Sequence, residues 1–330
     1  MKTILNRLIN HDILSRDEAY ETLVSISNGK HNQAQIAAFL TVFMMRPISI
    51  DELSGFRQAL LDLCVRIDFS DFETIDLCGT GGDGKNTFNI STLASFVVAG
   101  CGLKVAKHGN YGVSSISGSS NVMEQLGVKF TNDENALKRC LDQAGICILH
   151  APLFHPAMKN VGPIRKELGI KTFFNLLGPL VNPASPQHQF SGVFSLELAR
   201  MYAYLLQRTD VNFRVIHDLG GYDEISLTHS AKRISNQGES VISPSDFGLT
   251  TIDPIAISGG TTVAKAASIF LDILNGKGSD AQNHVVCANA CQAIEMMSGK
   301  SPRDAFEMAL ESLRSGAALT TLKKLQTIIK

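Results

Sequence analysis

DLCGTGGDGKNTFNIST, Asp76 to Thr92, sets Gly79, Gly81, Gly82 and Gly84 within six residues and follows them with hydroxyl and amide side chains. The segment before the glycines, ETIDL from Glu73 to Leu77, reads as a short strand. The segment after them, STLASFVVAGCG from Ser91 to Gly102, reads as a helix with a glycine stop. A strand, a glycine turn and a helix N-terminus together form an anion site. Glycine lets the backbone approach phosphate oxygens, while free N–H groups and the positive end of the helix dipole point at them. Asn89, Ser91 and Thr92 fall at the helix start, where their side chains can donate to phosphates or hold a metal. The spacing is not GxGxxG with an acid about 20 residues on, as a dinucleotide site needs. It is not a Walker loop either, because Asn86 follows Lys85 where Ser or Thr is required. Taken alone, such a turn serves structure as readily as binding.

Working outward, the same texture repeats. LKVAK (Leu103–Lys107), GICILH (Gly145–His150), QFSGVF (Gln189–Phe194) and NFRVIHD (Asn212–Asp218) read as further strands separated by helices. That alternation predicts an α/β unit with a mainly parallel sheet. Residues 1–70 read instead as helices. SRDE (Ser15–Glu18) and SIDE (Ser49–Glu52) are capping-box patterns, and AQIAAFLTVFMM (Ala34–Met45), apolar on most sides, is expected to be buried. The chain has 330 residues, beyond the roughly 250–300 at which one core stops growing, so two domains are expected.

Composition narrows the function. With 44% hydrophobic residues, 18% charged residues and a net charge of -1, the chain is globular and has no general attraction for nucleic acid or acidic membranes. An anion site must be local. Seven cysteines without a CxxC pair read as buried reduced thiols; Cys287 and Cys291, four apart, lack the further ligands a metal site needs. No apolar run spans a membrane and no signal peptide is visible at the N-terminus, so a cytoplasmic location is expected.

Three further segments carry chemistry. KHGNYGVSSISGSS (Lys107–Ser120) follows the next strand and offers a cation, an imidazole, an amide and several hydroxyls. Two such loops at neighbouring strand ends converge where open parallel sheets bind ligands. GGYDEISLT (Gly220–Thr228) carries Asp223 and Glu224; adjacent carboxylates are commonly a polar turn, but magnesium bound to a diphosphate needs one or two of them. HPAMKNVGPIRKELGIKTFFNLLGPLVNPA (His155–Ala184) holds Arg165, whose planar fork suits a carboxylate, although a helix-surface arginine beside Lys166 and Glu167 is the plain alternative. No Ser–His–Asp arrangement is visible.

These four segments, in this order and spacing over almost the whole chain, resemble the anthranilate phosphoribosyltransferase family: GTGGDG…TFNIST, KHGN…SS…SGSS, HPAM…RKELGI.T.FNLLGPL.NP and DEIS. The resemblance implies a small helical domain, residues 1–70 with a returning segment near 163–185. It implies an α/β domain of nucleoside phosphorylase/phosphoribosyltransferase type over 71–162 and 186–330, and a homodimer through the helical part. It implies transfer of a phosphoribosyl group from 5-phosphoribosyl 1-diphosphate to the amine of anthranilate, with Mg²⁺, two ions per active site. Carried over by motif, phosphoribosyl diphosphate would meet Gly79, Gly82, Asp83, Thr87, Asn89, Ile90, Ser91, Thr92, Lys107, His108, Gly109, Asn110, Tyr111, Gly112, Val113, Ser114, Ser115 and Ser119. Anthranilate would meet Gly79, Asn110 and Arg165, with His108 and Pro179 nearby. Ser91, Asp223 and Glu224 would be magnesium ligands, and His108 is a candidate proton acceptor. Two positions depart from the pattern: Tyr111 stands where the family usually has Arg, removing a cation, and Asn121 where Asp is frequent. A pyrimidine nucleoside phosphorylase of the same architecture and a non-catalytic nucleic-acid binder are the competing readings.

Overall fold

Two of the first four helices start at serine caps, Ser15 and Ser49. The computed structural model describes residues 1–112 and 117–329. In the first unit, Met1–Ile67 with Ala151–Pro183, the helices are α1 (Lys2–Ile9), α2 (Arg16–Ser27), α3 (Gln33–Met45) and α4 (Ile50–Leu63). Ser15 and Ser49 each accept from the backbone of Glu18 and Glu52, whose side chains reach back to the capping serine, so both capping boxes form as the sequence predicts. Glu52 is fully buried and also binds the guanidinium of Arg46 and the amide of Leu14, which joins three segments through one carboxylate. The core of this unit is aromatic: Phe56 stacks on Phe173 with centroids 4.5 Å apart, and Phe39 and Phe43 meet both rings edge-on. α3 is not wholly buried, as its composition suggested. Phe39, Leu40 and Phe43 are inside, but Met44 and Met45 are 43% and 80% exposed, because among the described residues the helix buries one face and leaves these two residues of its last turn uncovered.

The second unit, Asp68–His150 with Ala184–Lys330, is the α/β part. Its first strands and helices are β1 (Thr74–Gly79), α5 (Ile90–Gly100), β2 (Lys104–Gly109), α6 (Ser119–Gln125), α7 (Glu134–Ala144) and β3 (Ile146–His150). The chain then contributes α8 (Ala151–Phe154) and α9 (Gly162–Leu168) to the helical unit. That contribution begins at Ala151 rather than near 163, because β3 leads directly into α8 and the amide of Val65 donates to the Phe154 carbonyl at 2.8 Å. The chain re-enters the α/β unit with β4 (His188–Gly192), α10 (Leu196–Leu206), β5 (Asn212–Asp218), β6 (Ala231–Ser235), β7 (Gly238–Ile242), α11 (Val263–Leu274), α12 (Asp280–Ser298), α13 (Pro302–Arg314) and α14 (Ala317–Ile328).

The sheet runs β3-β2-β1-β4-β5-β6-β7. β1 to β5 are parallel, and β6 and β7 extend the β5 edge antiparallel. The terminal hairpin has no counterpart in the sequence reading, because AKRIS and GESVI mix charged and apolar residues on a partly exposed edge. α5 is buried along almost its whole length under α12 and α14, as its all-round apolar composition requires.

Candidate active site

The strand order reverses beside β1: the chain leaves β1 for β2 on one side and later places β4 on the other. Ligands of open α/β sheets bind outside the carboxyl ends of the strands at such a switch point. Here the β1–β4 ladder closes on Gly79 opposite Gly192, and both lack a side chain for the same reason. A Cβ on Gly192 would lie 1.6 Å from the carbonyl oxygen of Asp223, and one on Gly79 would lie 2.6 Å from its Oδ2. The acidic turn after β5 therefore crosses directly over the ends of β1 and β4.

That crossing joins two of the sequence motifs. Asp223 Oδ2 accepts from the amide of Gly81 at 2.6 Å, and Glu224 Oε1 accepts from the amide of Ser91 at 3.1 Å in the first turn of α5. Asn89 precedes α5 without capping it; its Nδ2 instead donates to the Ser117 carbonyl at 3.0 Å, tying the glycine loop to the loop after β2. Thr87 bridges to Ser258, the Gly259 amide donates to the Asn86 carbonyl at 2.8 Å, and Asn86 Nδ2 donates to the Gly260 carbonyl at 2.8 Å. The outer limb of the glycine loop is thus held from a distant segment. Gly82, Asp83 and Ser91 are half-buried beside the acids, whereas Ile90 and Thr92 are buried in the helix.

The loop after β2 completes this edge. β1 and β2 pair only at Thr74–Lys104 and Ile75–Val105, then side chains take over: Asp76 accepts from the His108 amide at 3.1 Å, and Lys107 Nζ donates to the Leu77 carbonyl at 2.5 Å. Lys107 and His108 are both buried, at the end of a strand that closes on Gly109. Asn110 and Tyr111 are exposed, and Ser119 Oγ donates to the Asn110 carbonyl at 3.3 Å. Asn121 Oδ1 accepts from both Gly112 and Gly118, at 2.9 and 3.1 Å. An amide oxygen supplies the acceptor that a carboxylate would, so this departure keeps the neck of the loop closed. Tyr111 packs its ring edge-on to His150 at 4.8 Å and donates from its hydroxyl to Glu124 at 3.4 Å; His150 is stacked on Phe130 at 4.3 Å and bonded to Ser120. The predicted contacts Val113, Ser114 and Ser115 lie outside the described residues.

The electrostatics mark the acidic pair. Burial, then the charges of Glu224 and Asp83, hold the Asp223 carboxyl well above the usual carboxylate range. Burial pushes Glu224 up to about 7, against the pull of Lys107 and the Ser91 hydrogen bonds and with a further push from Asp83. Two adjacent buried carboxyls of this kind can serve as ligands to a cation. Among the described residues no group of three or more His, Cys, Asp or Glu side chains forms a metal cage. That donor set fits magnesium, which takes one or two carboxylates and completes its octahedron with phosphates and water, and it does not fit a structural zinc site. The cysteines offer nothing here: burial pushes the Cys78 thiol up to about 12.

Arg165 belongs to the helical unit, on α9. It is not a solvated helix-surface arginine. It lies over the Phe174 ring at 5.4 Å and donates from Nη2 to Asn175 Oδ1 at 3.1 Å, while its buried Nε has no hydrogen-bond partner among the described residues. Pro179 is buried in the same unit. The sequence reading missed Gly192, the brace from Ser258, Gly259 and Gly260, and the polar side chains behind the acidic turn. Gly192 sits inside the apolar run QFSGVF, where an isolated strand glycine is the available signal of close backbone approach.

Residues 71–319 match the glycosyl transferase family a/b domain, and residues 2–64 match the helical bundle domain of that family. The chain is 66% identical over 328 residues, 99% of each chain, to an anthranilate phosphoribosyltransferase of Flavobacterium johnsoniae. It is 51% identical to that of Bacteroides thetaiotaomicron over 325 residues, 98% of each. Among solved structures, the anthranilate phosphoribosyltransferase of Thermus thermophilus superposes with a TM-score of 0.90 at 31% identity, covering 98% of each chain. The enzyme of Saccharomyces cerevisiae in complex with PRPP and Mg does so with 0.89 at 26%, covering 98% of this chain and 96% of that one.

Proposed function

The chain belongs to the anthranilate phosphoribosyltransferase family, and from that premise we propose that the strand ends of its α/β unit hold 5-phosphoribosyl 1-diphosphate through magnesium on Asp223 and Glu224. The reaction itself follows from the family. The phosphoribosyl group passes to the amine of anthranilate, giving N-(5-phosphoribosyl)anthranilate and pyrophosphate, which sets aside nucleoside phosphorolysis and nucleic-acid binding. One observation carries the proposal: the two buried acids meet the amides of Gly81 and Ser91, so the carboxylates and the phosphate-binding backbone share one edge.

Breaking the bond from ribose C1 to the diphosphate oxygen leaves positive charge on the sugar and negative charge on the leaving group. The work of the protein is positioning and electrostatic stabilisation. Magnesium, when bound, neutralises the diphosphate charge that develops. Gly79, Gly82, Asp83, Thr87, Asn89, Ser91 and the positive end of α5 orient the diphosphate, with Ile90 and Thr92 setting the helix start. Lys107 lends positive charge beside Glu224, and His108 to Gly112 with Ser119 shape the ribose phosphate end; Val113, Ser114 and Ser115 continue that loop in sequence. The anthranilate amine is neutral near pH 7 and attacks C1 without a strong base, so His108 serves in packing and orientation. Gly79 and Asn110 are assigned to anthranilate. The half-paired guanidinium of Arg165 suits its carboxylate, which would take the unused Nε donor.

We place two ions at the site, one on the acid pair and one on Ser91. We also place the enzyme in the cytoplasm as a homodimer through the helical unit, where Ile9, Ile13, Met44 and Met45 are left exposed. Unpaired cysteines suit a reducing compartment. Anthranilate fluorescence reports the test directly: it should fall when protein, phosphoribosyl diphosphate and Mg²⁺ are mixed, and hold steady when a chelator is added. Turnover that ignores the chelator removes the metal from the account. Binding stoichiometry by calorimetry counts the ions, and Met45→Glu, read by light scattering, tests the dimer.

A further inference from the structure

α12 is an apolar helix in its middle: Val285, Val286, Cys287, Ala288, Ala290 and Cys291 are all fully buried. Among them sits Asn289, also fully buried. Burying a carboxamide costs free energy unless its donors and acceptor are used. All are used, on one residue of another segment and on the helix itself. Asn289 Oδ1 accepts from the Ile225 amide at 3.0 Å, and Nδ2 donates to the Ile225 carbonyl at 2.9 Å and to the Val285 carbonyl at 2.8 Å. The side chain behaves as a one-residue strand partner for the residue that follows Glu224.

The same turn is tied at its ends by Asp218, the last residue of β5. Its Oδ1 accepts from the Gly220 amide at 2.7 Å, and its Oδ2 accepts from the Ser226 hydroxyl at 2.6 Å and amide at 3.2 Å. The Asp218 amide donates to the Tyr222 carbonyl at 3.1 Å. Between these ties lie Asp223 and Glu224, both buried. The clamp on both backbone groups of Ile225 fixes the peptide next to Glu224, and with it the point from which the two side chains start.

We propose that Asn289, acting through the Ile225 backbone, is a positioning residue that holds Asp223 and Glu224 in metal-binding register before any metal arrives. This rests on the reading of those acids as magnesium ligands. A residue that only fills space in α12 would leave metal affinity alone. One that supports the ligands changes it about 10-fold or more.

The test uses the full-length protein and Mn²⁺ as probe, with free Mn²⁺ read by electron paramagnetic resonance. Asn289→Leu, which keeps the branch at Cγ and removes all three hydrogen bonds, should weaken Mn²⁺ binding by about 10-fold or more. Ile294→Ala, which opens a cavity in the same helix, should lower the melting temperature and leave Mn²⁺ binding as in the parent. Asn289→Leu binding Mn²⁺ as well as Ile294→Ala does would overturn the proposal. If Asp223→Asn with Glu224→Gln leaves Mn²⁺ binding unchanged, the metal reading itself fails and the proposal falls with it. Hydrogen exchange on the unsubstituted protein gives an answer that needs no variant to fold. The amides of Ile225 and Ser226 should be protected without metal; protection that appears only on adding Mg²⁺ means the metal builds the turn, and Asn289 does not.

Discussion

The loop after β1 and the turn after β5 reach the same edge of the sheet and are built in opposite ways. In the glycine loop, Gly81, Gly82 and Gly84 all take positive φ, and a Cβ on Gly81 or Gly84 would meet nothing within 4 Å. Its outer side stays open to a ligand. The acidic turn is the reverse. Asp218, Asp223, Glu224 and Ser226 are buried, and side chains from β5 and α12 hold its backbone at several points. A glycine loop of this kind leaves room for a group to approach the backbone closely. A turn that buries two adjacent carboxyls is held by cross-links, because desolvation and mutual repulsion of the ionised forms outweigh the pull of Lys107 and the Ser91 and Gly81 amides.

The comparison breaks first at the acids. Asp223→Asn with Glu224→Gln should lower kcat by about 10²–10³-fold and flatten its dependence on Mg²⁺; a variant whose rate still tracks Mg²⁺ as the parent does takes the turn out of the metal site. Next come paired glycine variants. Gly192→Ala drives a methyl into the Asp223 carbonyl and should cost about 3 kcal/mol, seen in chemical denaturation. Gly81→Ala meets open space and carries only the left-handed backbone penalty at φ +64°, about 1 kcal/mol. Equal costs would mean that the open and clamped loops do not differ as described.

A smaller effect follows from protonation. The folded pKa of Glu224 is raised to about 7. The metal-free folded state therefore holds a proton that the unfolded chain has released. The stability this confers is complete below the ordinary carboxylate value and is lost as pH rises through about 7. Thermal melts should show Mg²⁺ stabilising the protein more at about pH 8 than at about pH 5.5, and a shift that stays constant over that range would count against a metal between these acids. The smallest effect concerns Tyr111, whose ring and hydroxyl already have partners in His150 and Glu124. Tyr111→Arg restores a cation at an exposed position and should lower the KM for phosphoribosyl diphosphate by no more than about 5-fold, less at high salt. No change at low salt removes position 111 from the substrate field.

Much of the fold was legible because its signals are local. Ser15–Glu18 and Ser49–Glu52 form boxes within one helical turn, and NFRVIHD becomes β5 from Asn212 to Asp218. The β6–β7 hairpin was not legible: its turn, Asn236–Gln237, lacks the usual glycine pair, and Asn236 is spent on the Phe213 amide instead. The exposed end of α3 was also hidden, since Met44 and Met45 look like core residues until the unit shows which face they occupy. Within the site, the glycines, the lysine and the paired acids stood out in the sequence as candidates and the fold brings them to one edge, while Gly192, Asp218 and Asn289 read as ordinary strand and helix residues.

Residue type and short-range spacing were enough to say that strands end in glycine-rich and hydroxyl-rich loops, that two carboxylates stand side by side, and that helices precede the sheet. These are properties of a few consecutive residues, and chain chemistry displays them without any fold. Tertiary structure alone decided that Asp223 lies across Gly79 and Gly192, that Glu224 caps α5, and that Asn289 grips Ile225. Those contacts join residues far apart in the chain, and they exist only once strand order and register have brought the segments together.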